Sequence, residues 1–188
     1  VAAIGASTAQ AADYRPAVDR ETLVVGLEKS ISNLDAQVTS TGDSLLYAWQ
    51  VYDTLYGFDP VGNLIPRMAS AVKISPDRTS YAFTLRKGIK FQNGAPLTAE
   101  DVKYSLERIL DPAVKSTRRV YFAPSVKSVE AAGDVVRILL KQPDGAFLSK
   151  VAGFLFIVPK DYTLKLGTPE AFAAAPIGSG PFRVKEFK

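Results

Sequence analysis

Between residues 80 and 110 the hydrophobic pattern changes period, and the changes predict a strand, a turn and a helix in succession. Tyr81, Phe83 and Leu85 alternate with Ser80, Ala82 and Thr84, the period of two that gives a strand one apolar face. Lys87-Gly88 breaks that pattern, and Ile89 and Phe91 predict a second short strand over 89–91. The turn-forming residues Gln92-Asn93-Gly94-Ala95-Pro96 end it. Thr98 is placed to cap a helix, with Asp101 three residues on and with Glu100 adding negative charge at the positive helix end. Val102, Leu106, Ile109 and Leu110 make one apolar stripe, and Asp111-Pro112 stops the helix.

The same reasoning extends along the chain. The β-branched run at 22–27 predicts a buried strand, and the polar stretch 30–42 links it to a mostly apolar helix from Asp43 to about 55–57, with Tyr47 and Trp49 expected in the core. A turn at 58–63, a strand at 72–75 and a hairpin of 126–131 with 135–141 around Ala132-Gly133-Asp134 follow. Residues 147–151 read as a short helix, 153–158 as a buried strand, and 180–187 as a terminal strand carrying Phe182, Val184 and Phe187. Strands interrupted by helices, with hairpins in the middle, argue for a mixed α and β fold.

Three segments carry a resemblance. The 80–110 succession, LIPRMASAV at 64–72 and PIGSGPF at 176–182 together resemble the family 5 extracellular solute-binding proteins, the dipeptide, oligopeptide and nickel receptors of bacterial ABC importers. The likeness runs from about Thr22 to the last residue. Val72 stands where many members carry tryptophan, and Phe91-Gln92-Asn93-Gly94 replaces the commoner Phe-His-Asp-Gly. The resemblance implies an α/β fold with mixed sheets of the type II periplasmic-binding-protein kind, of which this chain is the N-terminal portion: part of lobe I plus the extra domain of large members. It divides the chain into 1–11 as residual signal peptide, 12–44 as the first part of lobe I, 45–157 as the extra domain and 158–188 as a truncated return into lobe I.

Composition narrows the function classes. A chain of 188 residues, 47% hydrophobic, is long enough to bury a substantial core. Its net charge of +4 comes from 23 basic and 19 acidic residues without a basic run, which argues against a nucleic-acid partner. No stretch approaches the roughly 20 apolar residues of a membrane span, so direct membrane insertion is not expected. The opening VAAIGASTAQAA is small and uncharged, and Ala9-Gln10-Ala11 has the small-x-small pattern of a secretory cleavage site. Export to the periplasm through a cleaved signal peptide is therefore expected. With no cysteine there is no disulfide, no thiolate and no attachment point for a lipid anchor.

Candidate chemistry is sparse. The sequence has no histidine, which removes Ser-His triads and weakens any enzyme reading. Gly178-Ser179-Gly180 lacks the spacing of a nucleophile elbow and reads as a turn. Glu100 and Asp101 are explained by the helix start. Without His or Cys a metal site needs oxygen ligands, and no calcium-loop pattern is present, so neither metal nor cofactor is expected.

Binding fits better. Residues 33–42 are polar, end in small side chains and lie between a predicted strand and a predicted helix, where recognition loops concentrate. Ser40 and Thr41 offer hydroxyls, and Gly42 lets a ligand approach the main chain. The resemblance implies that this stretch lines the cleft and holds an extended peptide by main-chain hydrogen bonds. A helix N-terminus with Ser, Thr and Asp caps is the competing reading, and Asn33 and Asp35 double as turn formers. Tyr121, beside the basic pair Arg118-Arg119, is the candidate aromatic contact, whereas Phe122 suits the core. The expected binding residues are thus Asn33, Ser40, Thr41, Gly42 and Tyr121. The expected partners are a small-molecule or peptide ligand and the membrane subunits of an ABC permease, with the protein a monomer. A small exported hydrolase using two carboxylates, or a sensory receptor on the same fold, are the alternatives.

Overall fold

The computed structural model describes residues 25–27, 31, 33–39 and 42–187. Their centre is an antiparallel sheet in the order β3 (Ala69–Ile74), β4 (Ser80–Leu85), β6 (Val135–Leu140), β5 (Val126–Ala132). The alternation read from the sequence is the one observed in β4, where Tyr81, Phe83 and Leu85 are buried. In register, Phe83 opposes Val136 and Tyr81 opposes Ile138, so one face of the sheet is continuously apolar. The predicted 126–131/135–141 hairpin is present, with Gly133 taking the left-handed conformation (φ 60°) that its turn requires.

Two helices cover that face. α2 (Ala99–Leu110) inserts Val102, Leu106 and Ile109, and α4 (Phe147–Phe154) inserts Phe147 and Val151. The Phe147 ring sits 4.7 Å from that of Tyr81. A two-stranded sheet, β1 (Tyr56–Phe58) with β2 (Leu64–Pro66), turns at the predicted 58–63 loop. A second apolar cluster joins Ala36 and α1 (Gly42–Val51) to the later chain: Ala48, Val51 and Tyr52 pack with Phe156, Val158 and Phe172. Phe172 lies in α6 (Pro169–Ala174), which follows α5 (Lys160–Leu166).

The capping signal at Thr98 does more than start one helix. Asp101 Oδ2 accepts from the Thr98 N–H at 2.8 Å, while its Oδ1 accepts from the Lys160 N–H at 2.9 Å. Lys160 opens α5, so one carboxylate satisfies an N–H at the start of two helices.

Several expectations are corrected. Residues 22–24 lie outside the described residues, and 25–27 form no strand; Val25 is exposed, because no described strand pairs with it. α1 ends at Val51 rather than near 55–57 because the Gly180 and Phe182 N–H groups take the Val51 and Gln50 carbonyls, both at 2.9 Å. The same contacts explain why 180–187 is no strand: its donors go to a helix end, and Phe182 stays 62% exposed. Residues 89–91 contribute one bridge, Lys90 to Pro96, because the chain doubles back at once. α4 runs to Phe154, and the buried residues 155–158 form no ladder; the Ile157 N–H donates to the Asp53 carbonyl and the Val158 N–H to Ser105 Oγ. Trp49 is 45% exposed, since Ser44, Ala48 and Val51 define the inner face of α1 and place it on the other side.

Candidate functional site

Residues 33–39 carry one turn and no regular element, yet Leu34, Asp35, Ala36 and Gln37 are buried. Local bonds shape the segment first. Asn33 Oδ1 accepts from the Asp35 N–H at 2.7 Å, and Asp35 Oδ1 accepts from the Gln37 N–H at 2.9 Å, which are Asx-type turns. The Val38 and Thr39 N–H groups close on the Asp35 carbonyl.

Distant side chains then brace it. Arg108, in the last turn of α2, pairs with both oxygens of Asp35 and donates to Gln37 Oε1 at 2.8 Å. Gln37 Nε2 donates to the carbonyls of Phe156 (2.8 Å) and Ser105 (3.2 Å). Tyr52 donates its hydroxyl to the Leu34 carbonyl at 2.9 Å, and burial pushes that hydroxyl's pKa well up, so it stays a donor. Ser116 and Arg118 take the carbonyls of Gln37, Ala36 and Thr39. Burial pulls Arg118 down to about 10, a value at which the guanidinium remains charged at neutral pH. The polar groups of this stretch are therefore held by α2, by Tyr52 just after α1, by the buried segment 155–158 and by the loop before α3 (Arg119–Phe122).

The predicted site residues fall into four groups. Asn33 is a turn former whose side chain holds the backbone. Ser40 and Thr41 lie outside the described residues. Gly42 opens α1, is exposed, and has nothing within 4 Å of where a Cβ would stand, so its main chain is open on that side. Tyr121 is half-buried and stacks on Phe154, ring centroids 4.1 Å apart and planes 5° from parallel. Arg118 connects the two ends: it touches Ala36 and Thr39, and its own carbonyl accepts from the Tyr121 N–H at 3.0 Å. Phe122 is fully buried, as expected for a core residue.

Gln37, Arg108, Ser116 and Arg118 were not legible as site supports. A signal existed for Arg108: Asp101, Ser105 and Arg108 follow the spacing of one helix face beside the stripe of Val102, Leu106 and Ile109, and all six are buried. The carboxylates at the helix start are engaged structurally, Glu100 with Lys160 Nζ at 3.1 Å and Asp101 as described. Among the described residues no group of His, Cys, Asp and Glu is placed to hold a metal ion. None of the described helices is long and apolar enough to cross a membrane.

The described residues thus form a mixed α/β body with a buried polar loop braced by side chains from distant elements. Residues 63–188 match the family described as Bacterial extracellular solute-binding proteins, family 5 Middle, and the chain belongs to that family. It is 35% identical over 190 residues to the Probable di/tripeptide-binding protein 5 of Pseudomonas aeruginosa, covering 89% of this chain and 36% of the relative. It is 30% identical over 187 residues to the Glutathione-binding protein GsiB of Salmonella choleraesuis, covering 98% of this chain and 36% of that protein. Among solved structures, NikZ from Campylobacter jejuni in complex with Ni(L-His) superposes with a TM-score of 0.77 at 29% identity, covering 86% of this chain and 32% of that one. The chain thus spans about a third of the length of the relatives it matches.

Proposed function

We propose that this chain is part of the substrate-binding component of a bacterial ABC importer, which captures peptides or a similar small solute in the periplasm and delivers it to a membrane permease. The carrying observation is the braced segment 33–39: it is irregular backbone, yet buried side chains from distant elements hold its carbonyls and carboxylate. Because its own backbone groups are engaged internally, this stretch supports the reading as a rigid base for the residues that follow it, not as the surface that pairs with a peptide. Family membership and the peptide-type names of the two relatives support the same reading.

In this reading Ser40, Thr41 and Gly42 form the ligand-facing wall, Asn33 shapes the approach to it, and Tyr121 supplies an aromatic contact. In the same reading residues 12–44 and 158–188 belong to one lobe and 45–157 to the extra domain. The small-x-small pattern at Ala9-Gln10-Ala11 supports export to the periplasm, and in this reading the protein works as a monomer that binds solute rather than transforming it.

The test is a thermal-shift screen of the full-length polypeptide against di- and tripeptides, glutathione and Ni(L-His). A ligand at a hundred times its Kd stabilises by about 2.7 kcal/mol, an easily read shift. A flat response to every compound would remove the support for solute capture.

A further inference from the structure

The end of α1, the start of β1 and the chain around Arg67 line a cavity of about 350 Å³, and none of its lining residues is among those read as ligand-facing. Trp49 and Phe58, 45% and 40% exposed, give it apolar walls, and Asp53 and Arg67 share it with them. Neither charge satisfies the other. Arg67 Nη1 stands 3.6 Å from Asp53 Oδ1, beyond hydrogen-bond reach. That oxygen already accepts from the Thr54 N–H at 2.8 Å. Among the described residues nothing donates to Asp53 Oδ2, and the Arg67 guanidinium donates to no acceptor. Burial pushes the Asp53 pKa above the ordinary carboxylate value, and neither the Thr54 N–H nor the Arg67 charge outweighs it.

The fork is nonetheless held in place. Gly57 makes room for it, since a Cβ there would stand 2.2 Å from Arg67 Nε. The Arg67 main chain is fixed on both sides: its N–H donates to the Leu55 carbonyl at 3.1 Å, and its carbonyl accepts from Arg86 Nε at 2.7 Å. An exposed pair at this separation contributes little to stability. Its chemistry suits a ligand better, because a free carboxylate oxygen beside a planar fork with unused donors can take an ammonium and a carboxylate carried on one carbon. A singly charged molecule leaves one of the two unmatched. The cavity is at the small end of the roughly 300–1,000 Å³ of ligand pockets, which suits a single amino acid rather than an extended peptide.

We propose that this cavity is a further binding site, for a free zwitterionic amino acid with an apolar side chain: Asp53 takes the ammonium, Arg67 takes the carboxylate, and Trp49 and Phe58 cover the side chain. The aromatic walls serve twice, burying apolar surface and placing ring faces near the ammonium. This site does not require that a solute be captured elsewhere on the protein.

The experiment follows the indole N–H resonance of Trp49 in NMR spectra of the full-length polypeptide, assigned as the signal that Trp49→Phe removes. L-phenylalanine is titrated alongside N-acetyl-L-phenylalanine, which lacks the ammonium, and phenylethylamine, which lacks the carboxylate. The expected result is a saturable shift with L-phenylalanine and binding about tenfold weaker for each analogue, the loss of one charge-assisted contact. Arg67→Gln and Asp53→Asn are each expected to weaken L-phenylalanine by about tenfold. Asn keeps the acceptor for the Thr54 N–H, and if one variant does not fold, the other and the analogue series decide. No saturable shift with L-phenylalanine, equal affinity for all three compounds, or wild-type affinity in either variant overturns the proposal. A flat response to peptides and glutathione in the thermal-shift screen, with these shifts present, counts against solute capture alone.

Discussion

Arg108 and Asp35, 73 positions apart, form a buried ion pair in which two guanidinium nitrogens reach both carboxylate oxygens. The Arg108 side chain is 4% exposed and that of Asp35 is fully buried, so water cannot replace either partner. Removing one leaves an uncompensated buried charge. Arg108→Met is expected to cost about 3–5 kcal/mol in urea unfolding. The double variant Arg108→Met/Asp35→Leu should lose less than the single one, because no orphaned charge remains.

Gly178 and Gly180 lie against the end of α1. A Cβ on Gly178 would stand 2.0 Å from the Val51 carbonyl oxygen, and one on Gly180 2.6 Å from that of Gln50. Both obstacles are backbone and cannot rotate away. Gly178→Ala is expected to lower stability by about 3 kcal/mol, read as a fall in Tm. An unchanged Tm would mean that the PIGSGPF segment does not seat on α1.

Because Asp101 serves two helices, Asp101→Ala should loosen both. A loss of about 1–2 kcal/mol is expected, with faster amide exchange at Lys160 as well as at Thr98. Asn in place of Asp, keeping one acceptor, should recover part of it. Exchange that rises at Thr98 alone would contradict the shared cap.

Asp144 ties the start of α4 to β5. Burial pushes its pKa up, but hydrogen bonds from Lys150 (2.6 Å) and Ser125 (2.5 Å) outweigh that and leave it below the ordinary carboxylate value. A lowered folded pKa means that the unfolded chain takes up the proton first. The contribution is therefore fully present above an ordinary carboxylate value near 4 and is lost as pH falls through the lower folded pKa. Asp144→Asn should flatten the acid limb of a stability-against-pH curve and leave the shape above about pH 6 unaltered.

The sequence by itself determined the elements whose pattern is local. β4, α2 with its Thr98 start and Asp111-Pro112 stop, and the β5–β6 hairpin follow from side-chain period and turn residues within a few positions of one another. The three motifs likewise sufficed to place the chain in its family. What the tertiary structure decided is where irregular backbone finds its partners. Residues 33–39 read as a polar linker, and nothing local shows that Arg108 and Arg118, 73 and 82 positions away, hold Asp35 and Ala36. The glycines of 176–182 read as a turn, although their absent side chains make room for the carbonyls at the end of α1. Trp49 read as core because α1 is apolar on several sides, and only packing against Phe156 and Phe172 selected which side faced inward. A hydrophobic period records which face of an element is buried, but hydrogen bonds between distant buried groups leave no period. They are set by which surfaces the finished fold brings together.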